Sequence, residues 1–278
     1  MNINWYPGHM TKTKRALAEK VGMIDIVIEV LDARAPKSSL NPDFEKMFAT
    51  KEKLYVLNKS DLAADSITAD WKRHFEADGI KCVIYSATGG NHRALLAAIE
   101  ETADVLREKY IARGRNKTIR ALICGIPNVG KSAMINRLAG SRKQQEGNKP
   151  GVTRALSWVK LNSYLELLDS PGMLWPKIDD ERSGAAIALI GSIRQEILDD
   201  EEMAYYLLSF LRETAPEKLS ERYSLSDTTK DPWDIMADIC KSRGFLKKGG
   251  DFDYDRGTRT LLDEFRNGKI GKISLEKP

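Results

Sequence analysis

Residues 1–176 are predicted to form an α/β sheet domain, and residues 177–278 a smaller all-α domain. Three observations carry this reading. Short apolar runs alternate with amphipathic stretches through the first part. A glycine-rich octapeptide of phosphate-loop pattern stands at one strand-to-helix junction. After Pro176, helical periodicity takes over with few strand signals.

The candidate strands, in order, are IDIVIEVLDA (24–33), KLYVLN (53–58), KCVIYSA (81–87), TIRALICG (118–125), ALSWVKLN (155–162) and YLELLDS (164–170). Between them, residues 91–113 place leucines, alanines and isoleucine at helical spacing. KSAMINRLAG (131–140) ends at a glycine suited to a helix C-terminus. In the second part GAAIALIGSIRQEILDD (184–200), EEMAYYLLSFLRE (201–213) and PWDIMADICKSRG (232–244) carry helical periodicity.

Composition narrows the class. A chain of 278 residues with 42% hydrophobic and 30% charged residues can bury a sizeable core. Cys82, Cys124 and Cys240 are odd in number and far apart, which argues for a reducing compartment and against disulfides or a zinc site. No apolar run approaches the roughly 18 residues of a membrane span, and no signal-peptide core is present, so a cytoplasmic location without membrane partners is expected. The net charge of +4 is unevenly distributed: residues 107–120 carry six basic residues against one acidic, and residues 241–278 ten against six. Such unevenness suggests an anionic partner. For the 107–120 run alone, a solvated helix end and polar linker explains it equally well.

The phosphate loop is GIPNVGKS (125–132), which fits G-x-x-x-x-G-K-[ST] between a strand and a helix. Gly125 and Gly130 let the backbone curl so that successive N–H groups face phosphates, and the helix start near Lys131 adds its positive end. Lys131 is expected on the β- and γ-phosphates and Ser132 on Mg²⁺. The binding set drawn from this loop is Asn128, Val129, Gly130, Lys131, Ser132 and Ala133. The base is read by LNKSD (57–61): the Asp61 carboxylate accepts from N1–H and the N2 amine of guanine, whereas adenine offers an acceptor at N1. Asn58 is expected on the purine edge, with the stem of Lys59 along the ring. In SAT (86–88), Ser86 and Ala87 complete the set, the Ala87 N–H facing guanine O6. In DSPG (169–172), Asp169 holds Mg²⁺ through water, and the Gly172 amide contacts the γ-phosphate. PGVTR (150–154) supplies Thr153 as the second Mg²⁺ hydroxyl once GTP orders that segment.

In an ordinary Ras-like GTPase the phosphate loop comes first and NKxD late. Here NKSD and SAT precede GIPNVGKS, PGVTR and DSPG. The chain therefore resembles the circularly permuted GTPases, and among them the bacterial YlqF/RbgA family, ribosome biogenesis GTPase A. The resemblance extends to WYPGHM (5–10) with a basic helix after it, DARAP (32–36), FLKKGG (245–250) and LLDEFRNGKIGKISLE (261–276). It implies a circularly permuted Ras-like P-loop GTPase domain followed by a helical domain. It also implies binding of GTP and GDP with Mg²⁺, and a role in assembling the large (50S) ribosomal subunit on 23S rRNA.

Catalysis departs from the common scheme. Where many GTPases carry a water-orienting glutamine after DxxG, this chain has Met173 and then Leu174. The resemblance implies that His9, in the N-terminal PGHM, substitutes for it; a neutral imidazole can orient or deprotonate water. The other histidines read as an exposed helical residue (His74) and a residue beside the base or at a helix end (His92). The resemblance also implies that Asn128 helps bind K⁺. KTKR (12–15), the 107–120 run, FLKKGG and RNGKIGK (266–272) supply cations for RNA phosphates, and Trp5, Tyr6, Phe245 and Tyr254 are available to stack or pack. Two other classes fit less well: a signalling switch acting on a protein partner, and a GTP-dependent RNA-modifying enzyme, for which no second catalytic cluster follows residue 176. Because DSPG lies just upstream of the helical part, ordering of that switch is expected to reposition it.

Overall fold

The phosphate-loop strand sits inside the sheet, with strands that precede it in sequence on one side and strands that follow it on the other. The structure, a computed structural model, describes residues 8–89, 92–140, 156–178 and 180–278, excluding the side chain of His9. Its strands are β1 (Ile26–Asp32), β2 (Glu52–Asn58), β3 (Lys81–Ile84), β4 (Ile119–Cys124), β5 (Ser157–Lys160) and β6 (Leu165–Asp169), in the sheet order β3-β2-β1-β4-β6-β5. All neighbours are parallel except β5 and β6. The register pairs Val30 with Val56, Ile28 with Ile123 and Leu122 with Leu168. β1 is buried at every position, as its unbroken Ile-Val-Ile-Glu-Val-Leu run requires of a parallel strand covered on both faces. All six expected strands are present, with ends adjusted where polar loops begin.

Helices α1 (Gly8–Ala18), α2 (Pro36–Ser39), α3 (Pro42–Met47), α4 (Asp65–Ala77), α5 (His92–Ile111) and α6 (Lys131–Leu138) accompany the sheet. The 91–113 stretch becomes α5, which carries the chain from edge strand β3 to central strand β4. This crossover is the covalent link that makes the permuted order possible. α1 is seated by Met10 and Leu17, both 1% exposed, and by the Lys14–Asp43 ion pair at 2.7 Å.

Beyond the sheet come α7 (Glu181–Leu189), α8 (Asp200–Thr214), α9 (Pro216–Tyr223), α10 (Pro232–Arg243) and α11 (Tyr254–Arg266). The 184–200 stretch, expected to be helical, is broken. α7 ends at Leu189, Gly191 takes a positive φ of 82°, and α8 begins only after Asp199, whose carboxylate caps the Glu201 and Glu202 N–H groups. α9 and α11 are not among the stretches read as helical from sequence. The chain's end then returns to the loops after β1 and β2: Ile273 N–H donates to Leu62 O, Leu275 N–H to Arg34 O, and Ser38 N–H to the Glu276 carboxylate. Buried side chains of both parts, Val30 and Leu122 together with Ile187, Leu207, Ile235 and Leu261, form one continuous apolar cluster.

Glu29 is an acidic residue in the middle of β1, buried on the sheet. Burial pushes its carboxyl up to about 7, against the lowering effects of the Asn41 N–H and Lys53 and with a further rise from Glu45. The folded state therefore keeps a proton that the unfolded chain, titrating near the ordinary 4.5, gives up, so stability falls as pH rises from about 4.5 to about 7. Glu29→Gln is expected to stabilise the protein by about 1–3 kcal/mol at pH 8 and to make no difference at pH 4. Urea unfolding at both pH values measures this; equal stability at pH 8 contradicts it.

Candidate nucleotide site

Parallel strands end at one edge of a sheet, so the loops that follow them meet there. The segments Asn58–Asp61 after β2, Ser86–Thr88 after β3, Gly125–Gly130 after β4 and Asp169–Gly172 from β6 onward converge at that edge.

Asn58 joins three of them. Fully buried, it donates from Nδ2 to Val129 O (2.7 Å) and accepts at Oδ1 from the Ala87 N–H (3.2 Å). Asn58, expected on the purine edge, and the Ala87 N–H, expected on guanine O6, thus also engage one another. Gly130 lies so close that a Cβ there would stand 2.3 Å from Asn58 Nδ2, and its φ is +92°, so only glycine fits. Asp61 is exposed and accepts from the Thr88 hydroxyl at 3.1 Å, which in turn contacts Ser86 Oγ at 2.8 Å. Lys59, with φ +59°, directs its ammonium to Asp32 at 3.0 Å. The expected base-reading residues Lys59, Asp61, Ser86 and Ala87 are thus gathered on neighbouring loops.

The phosphate loop is closed on itself. Lys131 opens α6, is 6% exposed, and donates to Gly125 O (3.1 Å) and Ile126 O (2.7 Å). Burial lowers its ammonium to about 8, although the nearby Cys124 and Asp169 oppose this. Gly172 rests on the loop: a Cβ there would lie 2.6 Å from Pro127 Cα and 3.1 Å from Lys131 Nζ. Val129 is buried, Ser132 half-buried and Ala133 exposed. Asp169 is buried at the end of β6, and the next residue, Ser170, donates to Ile123 O at 2.7 Å. Ser132 and Asp169 offer hard oxygen donors, the chemistry Mg²⁺ takes alongside substrate phosphates. Among the described residues no cluster of three or more His, Cys, Asp or Glu side chains suits a metal.

Two contacts seat the loop on the helical part. Asn128, with φ +59°, donates from Nδ2 to Gly191 O at 2.6 Å, and Ser192 Oγ donates to Pro127 O at 2.7 Å. A cleft of about 470 Å³ opens beside them, between Lys59 and Asn128 on one wall and Gly191 and Arg194 on the other. Sequence reasoning missed Gly191 and Ser192, because nothing in the order of residues says which turn will meet the loop.

Met173 faces inward. Its side chain is fully buried, its N–H donates to Gly125 O (3.3 Å), and its carbonyl accepts from Asn41 Nδ2 (2.7 Å). The position after Gly172 therefore brings no polar side chain to a phosphate. His9 is the second residue of α1; its imidazole lies outside the described residues, as do Trp5, Tyr6, and PGVTR with Thr153. His74 is half-exposed on α4 as expected. His92 takes the helix-end alternative, opening α5 with Nδ1 2.8 Å from Tyr85 Oη and Nε2 3.0 Å from Arg137.

Much of the basic 107–120 run is engaged within the molecule. Arg107 lies over Tyr164, Lys109 pairs with Glu52, Lys117 with Asp25, and Arg120 with Glu166. The solvated-linker alternative describes this run better than an anion-binding patch. Phe245 is buried under Arg256, whereas Tyr254 is exposed and meets Trp233 edge-on.

Removing the Asn58 amide strands a buried carbonyl and a buried N–H, at about 1–3 kcal/mol. Asn58→Ala is therefore expected to weaken GDP and GTP alike by about tenfold or more. Titration with a fluorescent nucleotide measures this; a loss confined to GTP contradicts the tie between loops.

Residues 120–233 match the family described as 50S ribosome-binding GTPase. Ribosome biogenesis GTPase A of Bacillus licheniformis is 44% identical over 280 residues, covering 100% of this chain and 99% of the relative. The protein of the same name from Thermotoga maritima is 32% identical, covering 99% and 95%. The GDP-bound structure of TM YlqF superposes with a TM-score of 0.67 at 27% identity, over 95% of this chain and 99% of that one. GNP-bound YlqF from Thermotoga maritima gives 0.66 at 28% identity, over 96% and 98%. With likeness running the length of the chain, and the GIPNVGKS, NKSD and SAT loops meeting at one sheet edge, the chain belongs to the ribosome biogenesis GTPase A family and is a GTP-hydrolysing enzyme of ribosome biogenesis.

Proposed function

We propose that the protein is an assembly factor of the large ribosomal subunit, which binds the maturing 50S particle through its 23S rRNA in the GTP state and leaves after hydrolysis. The observation that carries this reading is the seating of the phosphate loop on the Gly191–Ser192 turn, because it gives the nucleotide a direct mechanical route to the helical part. Residues 1–176 act as the GTPase domain and residues 177–278 as the domain that meets the particle. Lys12, Arg15, Lys241, Lys248 and Lys269 are exposed and available to phosphates. No helix among the described residues is long and apolar enough to cross a membrane, in keeping with work in the cytoplasm.

In this reading Lys131 and the loop amides hold the β- and γ-phosphates. Ser132, Thr153 and, through water, Asp169 would hold Mg²⁺, which would supply charge neutralisation at the phosphates. Asp61 selects guanine, with Lys59, Ser86 and Ala87 around it. Asn128 contributes to a K⁺ site near the phosphates. Met173 leaves hydrolysis slow in isolation, and His9 supplies the polar group on the particle. One chain of contacts supports His9: α1, which carries it, pairs through Lys14 with Asp43 of α3, and Asn41, the N-cap of α3, holds the Met173 carbonyl.

Co-sedimentation with large-subunit precursors, with a non-hydrolysable GTP analogue, with GDP or without nucleotide, at two salt concentrations, tests the main reading. Binding is expected with the analogue and is expected to weaken as salt rises. Binding that ignores the nucleotide contradicts the reading, and salt-insensitive capture of a protein in place of the particle favours a signalling switch. His9→Ala is expected to lower particle-stimulated turnover about 10²-fold or more with GTP affinity little changed; undiminished turnover removes His9 from the mechanism. Turnover is also expected to be faster in KCl than in NaCl, and equal rates remove K⁺.

A further inference from the structure

Asp32 ends β1 with no exposed surface and gathers four donors. Oδ1 accepts from the Arg34 backbone N–H (3.1 Å) and Arg34 Nε (2.9 Å). Oδ2 accepts from Arg34 Nη2 (2.8 Å) and Lys59 Nζ (3.0 Å). Burial by itself raises this carboxyl, but the charges and hydrogen bonds of Arg34 and Lys59 outweigh it and hold the group at about 2. Asp32 is therefore an anion throughout the working pH range.

Lys59 needs such an anchor. With φ +59° it leaves the chain in the left-handed region, between the end of β2 and a single turn at Ser60–Leu62. Its side chain is 24% exposed, so the stem borders solvent while the ammonium is tied inside. Arg34, 1% exposed and bidentate on Asp32, supplies the second countercharge that lets the anion stay buried. It is itself locked by Arg266 O (3.3 Å) and by the Phe265 ring beneath its guanidinium (5.4 Å). The carboxylate is thus fixed before any nucleotide arrives.

The geometry points to Asp32 as a positioning residue for guanine-nucleotide binding: it pins the Lys59 ammonium so that the lysine stem is already laid out where the base will rest. The inference builds on Lys59 belonging to the base-reading loop. A pre-set side chain loses less freedom on binding, so the effect falls on affinity, equally for GDP and GTP, and not on the chemical step.

The test is a double-mutant cycle on nucleotide affinity, with thermal unfolding and saturated turnover measured alongside. Lys59→Met is expected to weaken GDP and GTP by the same factor, about tenfold, and Asp32→Asn likewise. For Asp32→Asn, saturated turnover is expected to stay within about twofold. The double variant is expected to bind no more weakly than Lys59→Met alone, since Asp32 acts through Lys59. Losses that multiply, to about a hundredfold, overturn the proposal by showing that Asp32 serves the fold independently. Unaltered binding by Lys59→Met overturns the base-loop reading, and the proposal with it. Because Asp32 is fully buried, the wild-type protein supplies a second measurement, lysine-ammonium NMR without nucleotide. A Lys59 Nζ resonance slow in solvent exchange and distinct from the surface lysines is expected; a solvent-averaged one overturns the proposal even if Asp32→Asn does not fold.

Discussion

The carboxylate of Asp32 is an anion around which three distant segments of the chain are arranged. It closes β1, holds Lys59 of the loop after β2, and fixes Arg34, which reaches the last carbonyl of α11 and accepts the returning Leu275 N–H on its own backbone. A charge buried so completely is tolerated only with its partners in place. The loop after β2 and the end of the chain are consequently tied to the end of β1, although more than two hundred residues separate Arg34 from Arg266.

A second junction lies on the other side of the phosphate loop. There the loop touches the helical part directly, through Asn128 to Gly191 and Ser192 to Pro127. The turn that makes these contacts is held from behind by Arg266, which donates to Ala188 O and Leu189 O. Arg266 thus stands behind both junctions: its carbonyl locks Arg34 and its guanidinium braces the turn. Permutation makes this compact. The segment after DSPG leads toward α7, with Met173, Leu174 and Ile178 buried along the way.

The parts most legible in sequence were those set by local chemistry. β1, β2 and β4 stand out as Val-, Ile- and Leu-rich runs because parallel strands bury both faces, and GIPNVGKS announces itself because Gly130 has no substitute against Asn58 and Gly125 none against Val30 O. Residues whose partners lie far along the chain were less legible. Nothing in the order of residues shows that Asn58 and Ala87 are paired with one another. The 107–120 run looks like an anion site until Glu52, Asp25 and Glu166 arrive from three different strands or loops. Helical periodicity ran through Gly191 without showing that its positive φ stops α7 and aims the next turn at the phosphate loop. Asp32 and Arg34 stand in the sequence only as part of DARAP (32–36), and nothing there points to Lys59 as their partner.

If the phosphate loop and the helical part move as one unit, the γ-phosphate must be felt in the turn that grips the loop. Hydrogen–deuterium exchange across residues 173–194, compared between the GDP and non-hydrolysable GTP-analogue states, tests this most directly. The expected result is a change in protection concentrated at residues 188–194, beside the Asn128 and Ser192 contacts. Identical exchange in the two states would contradict the account, because nucleotide chemistry would then stop at the phosphate loop.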